Sequence, residues 1–261
     1  MLSQAKGRQA IRDLLGAACI KTGDALLVHS AFRALGQQGL RAEWFIEEAI
    51  AALGGGGMLL MPTMSWRIVT QLNPLFDVRI TAGNVGLLPE IFRKQYAQSR
   101  SVHPTHSVAG WGSRVRDILE GHHALATPCP MSSGFGQIAR CSGKILLLGV
   151  GLECCTTIHC AEEAVAPDIY LEPIESAELY YCRGWKNEWH DVYVRRHRKL
   201  PRDFSKFEPF LQASGKIMKG EILGVSWISL DAQGLLDIVT DLLKEEPMAT
   251  IQDIPLIKEN A

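Results

Sequence analysis

The chain has almost no net charge: 27 Lys and Arg stand against 28 Asp and Glu, a formal −1. A strong global field for nucleic acid or for an acidic membrane surface is thereby excluded, and partners are to be sought at local sites. No apolar run approaches the roughly 18 to 20 residues needed to cross a bilayer. The N-terminal stretch carries Lys6, Arg8, Arg12 and Asp13 in a helix-like pattern, without the apolar segment and small-residue cleavage site of a secretory signal. The seven cysteines are odd in number, irregularly spaced and contain no CxxC pair, so they read as reduced thiols rather than a disulfide framework. Neither an internal repeat nor a low-complexity linker is visible. The expectation from these absences is a cytoplasmic protein with no nucleic-acid and no membrane partner.

What is present is ordinary globular composition, 47% hydrophobic and 21% charged over 261 residues, enough chain to bury a sizeable core. The first 150 residues alternate short apolar runs with amphipathic stretches, the rhythm of α/β construction. Helices are expected at about Gln4 to Cys19, Ala42 to Leu53, Leu87 to Gln95, Lys206 to Ala213 and Ala232 to Lys244. Strands are expected at about Ala25 to His29, Met58 to Met61, Ser107 to Gly110, Ile145 to Val150 and Glu221 to Ser226. Between Glu178 and Arg195 the spacing of Tyr, Trp and Val predicts an antiparallel hairpin turned at Lys186 and Asn187. The fold class is therefore α/β: one mixed domain over 1–261, a central sheet flanked by helices, with a hairpin in the C-terminal half.

The stretch Thr156, Thr157, Ile158, His159, Cys160, Ala161, Glu162 places an imidazole and a carboxylate three residues apart after a buried strand. On a helix that spacing turns both side chains to one pocket. Histidine can take a proton near neutral pH, and the carboxylate can orient its ring and stabilise the imidazolium. The alternative is a core histidine satisfied by a helix neighbour.

Other motifs carry competing readings. Gly54 to Gly57 precede a strand, whereas phosphate-cradling glycines follow one, so they read as a tight helix-to-strand turn. His29 to Gly36, HSAFRALG, follows the first strand, where α/β sheets expose ligand loops; backbone amides, the Ser30 hydroxyl and Arg33 suit a pyrophosphate or pantetheine amides. Arg100 to Ser107 concentrates a guanidinium, hydroxyls and two imidazoles, consistent either with ligand contact or with polar groups satisfying neighbouring amides around Pro104. Cys154, Cys155, His159 and Cys160 lack the paired spacing of a zinc site, so no metal is expected. Cys155 or Cys160 beside a histidine leaves an acyl-enzyme route open, against the reading of both as inert packed thiols.

In chain order stand HSAFRALG at 29–36, GGGMLLMPT at 55–63, VGLLPEIFR at 85–93, RSVHPTHSVAGWG at 100–112, SSGFGQIARCSGKILLLGVG at 132–151 and TTIHCAE at 156–162. This series resembles the aminoglycoside 3-N-acetyltransferase family, over most of the chain. The resemblance implies an α/β fold unlike GNAT acetyltransferases and transfer of acetyl from acetyl-CoA, as co-substrate, to a primary amine on a small sugar-like acceptor. It implies His159 and Glu162 as the HxxE base and its orienting carboxylate, with Thr156 matching the family's threonine. CoA-contacting loops would map onto Ser30, Ala31, Phe32 and Arg33 and onto His103 and Ser107. A homodimer is left open.

One stretch departs from the family pattern. Relatives that bind polycationic antibiotics tend to line the acceptor cleft with carboxylates, including residues after the hairpin. Here Arg183, Lys186, Arg195, Arg196, Arg198, Lys199, Arg202 and Lys206 face only Glu188, Asp191 and Asp203 in number. If that stretch lines the cleft it repels a polycation, and the acceptor is neutral or anionic, such as a nucleotide-linked amino sugar. A solvated face, or a site for the CoA phosphates, are the competing readings.

Overall fold

Three short strands, apolar except at their ends, form the middle of the structure because they are buried on both faces. They are β1 (Ala25–Ser30), β2 (Met58–Pro62) and β6 (Lys144–Leu148), and β1 pairs parallel with each of the others. In this computed structural model, which describes residues 2–253, the remaining strands are β3 (Leu75–Asp77), β4 (Ser99–Arg100), β5 (Val108–Trp111), β7 (Glu178–Arg183), β8 (Trp189–Val194), β9 (Ile217–Ile222) and β10 (Val225–Asp231). The main sheet runs β4-β5-β2-β1-β6-β10-β9, parallel at its centre and antiparallel towards both edges. A second sheet runs β3-β7-β8.

The period-two alternation of side chains sorts the central strands into two cores. Leu27, Leu60, Ile145 and Leu147 face one side and meet α6 (Gly134–Arg140), α7 (Thr157–Val165) and α10 (Ala232–Glu245). Leu26, Leu59, Leu146 and Leu148 face the other and meet α1 (Gln4–Ala17), α3 (Ala42–Leu53) and α4 (Leu87–Gln95). Shorter helices complete the order: α2 (Arg33–Gln37), α5 (Val115–Leu119), α8 (Pro167–Tyr170) and α9 (Glu208–Ala213). No described helix is long and apolar enough to cross a membrane.

The glycine run is the turn it was read to be. Gly54 ends α3 at φ +63°, and a Cβ on Gly57 would stand 2.5 Å from the Leu53 carbonyl. The expected strand at 221–226 is instead the turn of a hairpin: β9 and β10 pair antiparallel around Leu223 and Gly224, at φ +51° and +73°. Two consecutive left-handed residues give the tight connection that matches strand twist, and a non-glycine at the first position hides that signal in sequence. The hairpin at 178–195 forms as expected, but pairs with β3 outside the main sheet.

Arg100 pins this second sheet to the first. Its side chain is fully buried; Nε donates to Thr63 Oγ1 and Ser107 Oγ, both at 3.0 Å, Nη1 to the Thr81 carbonyl at 2.5 Å and Nη2 to the Thr63 carbonyl at 2.7 Å. The guanidinium lies 4.8 Å from the ring centre of Phe76 on β3. Burial, with Arg93 nearby, lowers its pKa to about 9, and every acceptor named is neutral. Arg100→Ala leaves those acceptors unpaired and should lower stability by about 3 kcal/mol or more. Urea unfolding at pH 7 measures this; a loss under about 1 kcal/mol would show that the sheet docks without the arginine.

Candidate active site

The carboxyl ends of β1, β2 and β6 open onto one cavity of about 440 Å³. Side chains on or just beyond each strand end reach its wall: His29 and Ser30 from β1, Met64, Trp66 and Arg67 after β2, and Glu153, Thr156 and His159 after β6. Parallel strands deliver their following loops to a common edge, which is why residues 130 positions apart meet here.

His159 sits in the first turns of α7 with its side chain about one-fifth exposed, on the cavity wall. Its Nδ1 is 2.7 Å from Glu162 Oε2, so Nδ1 carries the proton and donates, leaving Nε2 as the basic atom. Burial lowers the His159 pKa below the ordinary 6.5, against the hydrogen bond and charge of Glu162, which raise it. The ring is therefore neutral and basic at pH 7. Glu162 is wholly buried. Arg202 Nε donates to both its oxygens, at 2.9 and 3.0 Å, and Thr250 Oγ1 donates to Oε1 at 2.5 Å. Burial alone would raise its pKa, but His159 and Arg202 outweigh burial and hold it down at about 2.

A second histidine–carboxylate pair lies against the first. The His197 and His159 rings are 4.6 Å apart, tilted by 34°, and His197 Nε2 donates to Glu163 Oε1 at 2.7 Å. The same oxygen accepts the Cys129 N–H at 2.8 Å. Cys129, Glu163 and His197 are the one group of metal-ligating types among the described residues, their ligand atoms within 4.8 Å of one another. The His197–Glu163 bond ties the segment after β8 to α7, and the Cys129 backbone N–H joins it on the same oxygen.

Of the residues expected at the site, His159, Glu162, Thr156 and Ser30 come together. Ala31 extends the β1–β6 ladder through its N–H to the Leu148 carbonyl, Phe32 is buried edge-on to Phe45, and Arg33 is exposed at the start of α2. None of the three lines the cavity. His103 and Ser107 are fully buried away from it: His103 Nδ1 accepts the His106 N–H at 2.9 Å, and Ser107 belongs to the Arg100 network. The polar density at 100–107 is thus largely internal bonding around Arg100, with His103 Nε2 left buried without a partner. Nor does the basic stretch line the cavity. Arg183 faces Asp77, Arg195 faces Asp168, Arg196 faces Glu178 and Arg202 faces Glu162, so four of its eight cations have carboxylate partners within the chain.

Sequence reasoning missed His29, Trp66, Arg67, Asn84 and Glu153 as wall residues. His29 Nε2, Ser30 Oγ and Asn84 Nδ2 are buried on this wall without hydrogen-bond partners. Burial holds the His29 pKa at about 3, so that ring is neutral. The usable signal was positional: each lies at, or packs beside, the carboxyl end of an apolar strand.

The fold and site define a class, an α/β protein whose parallel strands converge on a cavity served by a carboxylate-oriented histidine. The chain belongs to the aminoglycoside 3-N-acetyltransferase family, whose pattern matches residues 27–244. A curated relative, aminoglycoside N(3)-acetyltransferase IV from Salmonella sp, is 32% identical over 148 residues, covering 55% of this chain and 53% of its own length. The chain spans between about half and two thirds of the length of the curated relatives it matches. Among solved structures, AAC-IIIb binary with CoASH superposes with a TM-score of 0.76 at 19% identity, covering 95% of this chain and 98% of that one. A histidine-to-alanine mutant of AAC(3)-IVa in complex with a gentamicin gives 0.75 at 23%, covering 93% and 89%. At these identities the two structures show a shared fold.

The buried dyad has a pH signature. Because the Glu162 pKa is held at about 2 when folded, below the ordinary 4.5, its contribution to stability is present above 4.5 and is lost as pH falls toward 2. Glu162→Gln should cost roughly 3 kcal/mol at pH 7 and flatten this acid dependence. Urea titrations of both proteins between pH 3 and 7 read it; parallel pH curves would contradict the assignment.

Proposed function

We propose that this chain transfers an acetyl group from acetyl-CoA, bound as co-substrate, to a primary amine of a small acceptor, by direct attack assisted by His159. The observation that carries this reading is the His159–Glu162 pair on the wall of a cavity at the carboxyl end of the sheet. The family supplies the reaction class: relatives are named aminoglycoside acetyltransferases, and one neighbour is a complex with CoASH.

An amine is mostly ammonium at neutral pH and attacks a thioester only after losing a proton. His159 Nε2 takes that proton, while Glu162, fixed by Arg202 and Thr250, holds the ring and stabilises the imidazolium. The carbonyl oxygen gains charge during attack and needs a donor aimed at it. The Thr156 hydroxyl, where the chain enters α7, and Ser30 Oγ, which lacks a protein partner, are on the same wall. The proton on His159 then serves the departing thiolate.

The acyl-enzyme alternative fits less well. Cys155 and Cys160 are fully buried; burial pushes the first thiol up to about 12 and the second well above its ordinary range, and thiols of that kind are poor nucleophiles. The cysteine on the cavity wall is Cys154, whose pKa is raised by burial and by Glu153.

Release of free CoA in the presence of amines tests the proposal. His159→Ala should lower kcat/KM by about 100-fold or more, whereas alanine at Cys154, Cys155 or Cys160 should leave turnover within about threefold once folded protein is matched. Collapse of turnover in one folded cysteine variant would replace direct transfer by an acyl-enzyme, and activity surviving in His159→Ala would remove the histidine base from either scheme.

A further inference from the structure

The wall formed by Trp66, Arg67 and Asn84 bears on which amines the cavity accepts, an inference that rests on the transfer reaction proposed above. Asn84 Oδ1 accepts the Arg67 backbone N–H at 3.1 Å. That bond fixes the amide's orientation, so Nδ2 is the end left buried without a partner at the cavity. The Arg67 guanidinium lies 4.7 Å from the Trp66 ring centre, and none of the ion pairs among the described residues involves it. An amide N–H₂ and a guanidinium only donate hydrogen bonds. Side by side on one wall, they present donors and positive charge with nothing among the described residues to receive them.

The one carboxylate on the wall, among the described residues, is Glu153, and its Oε1 already accepts the Gly151 N–H at 2.8 Å. The charged lining is therefore one cation against one anion. A polycation entering here would find a single carboxylate, Glu153, and meet the Arg67 guanidinium as well, both exposed, an arrangement that gives it no net attraction. An anionic group would gain a planar, charge-assisted donor fork from Arg67, braced by Trp66, together with the unpaired Asn84 N–H.

The geometry points to an acceptor that is an amine carrying a phosphate or carboxylate, the anionic group held by Arg67 and Asn84 while the amine faces His159. Arg67 and Asn84 are thus specificity-determining residues. The phosphates of CoA share this chemistry, and the test separates the two sources.

Binding of glucosamine, glucosamine 6-phosphate and kanamycin is measured by calorimetry on the full chain saturated with CoA, alongside acetyl transfer to each from acetyl-CoA. The phosphorylated sugar should bind at least about tenfold tighter than its neutral twin and far better than kanamycin. Arg67→Glu, Arg67→Ala and Asn84→Asp should each erase that margin while CoA affinity stays within about twofold; circular dichroism checks that each variant is folded. Equal binding of the twins, a preference for kanamycin, or a loss in Arg67→Glu that falls on CoA affinity alone would overturn the inference, the last by assigning Arg67 to the coenzyme's phosphates. A retained phosphate preference without acetyl transfer would remove the catalytic reading and leave the subsite, whereas transfer without the preference would do the reverse.

Discussion

A single buried carboxylate organises the centre of this molecule. Glu162 is taken wholly out of water yet stays ionised, because an imidazole, a guanidinium and a hydroxyl converge on it from α7, from the segment after β8 and from the region beyond α10. Such an arrangement is a weak source of net stability, since desolvation consumes much of the attraction. What it secures is geometry: His159 has one way to hydrogen-bond, one tautomer, and one nitrogen left for chemistry. The C-terminal segments thereby fix the orientation of a ring set on a helix early in the second half of the chain.

The sheet determines where that ring points. Because β1, β2 and β6 run parallel, their carboxyl ends deliver a histidine–serine pair, a tryptophan–arginine pair and the helix bearing His159 to one edge. Both faces of these strands are needed for the two apolar cores, so function is confined to the strand ends. The buried polar atoms left unpaired on the wall are His29 Nε2 and Ser30 Oγ, where β1 stops, and Asn84 Nδ2 beside them.

Elements with strong local signals were legible in the sequence. The apolar runs at 58–61 and 145–148 become central strands, the amphipathic windows at 42–53, 87–95 and 232–244 become helices, and the HxxE spacing yields the dyad directly. Features set by tertiary context were not. Leu223 adopts a left-handed conformation that its identity does not advertise, so the β9–β10 hairpin was read as one strand. Arg100, His103 and Ser107 look like ligand-binding residues because they are polar and dense, and nothing local reveals that Arg100 and Ser107 are satisfied by carbonyls and hydroxyls 37 to 44 residues away in sequence. The basic run after the hairpin is equally opaque in sequence, because the carboxylate partners of Arg183, Arg195, Arg196 and Arg202 lie on other elements.

The central claim is that His159 bears its proton on Nδ1 and offers Nε2 to the cavity. Nitrogen-15 spectroscopy of histidine-labelled protein at pH 7, assigned with His159→Ala, reads the tautomer directly. The account predicts a protonated Nδ1, a bare Nε2, and a shift of the Nε2 resonance when CoA is added. A proton on Nε2 with Nδ1 bare, or a ring indifferent to CoA, would contradict it.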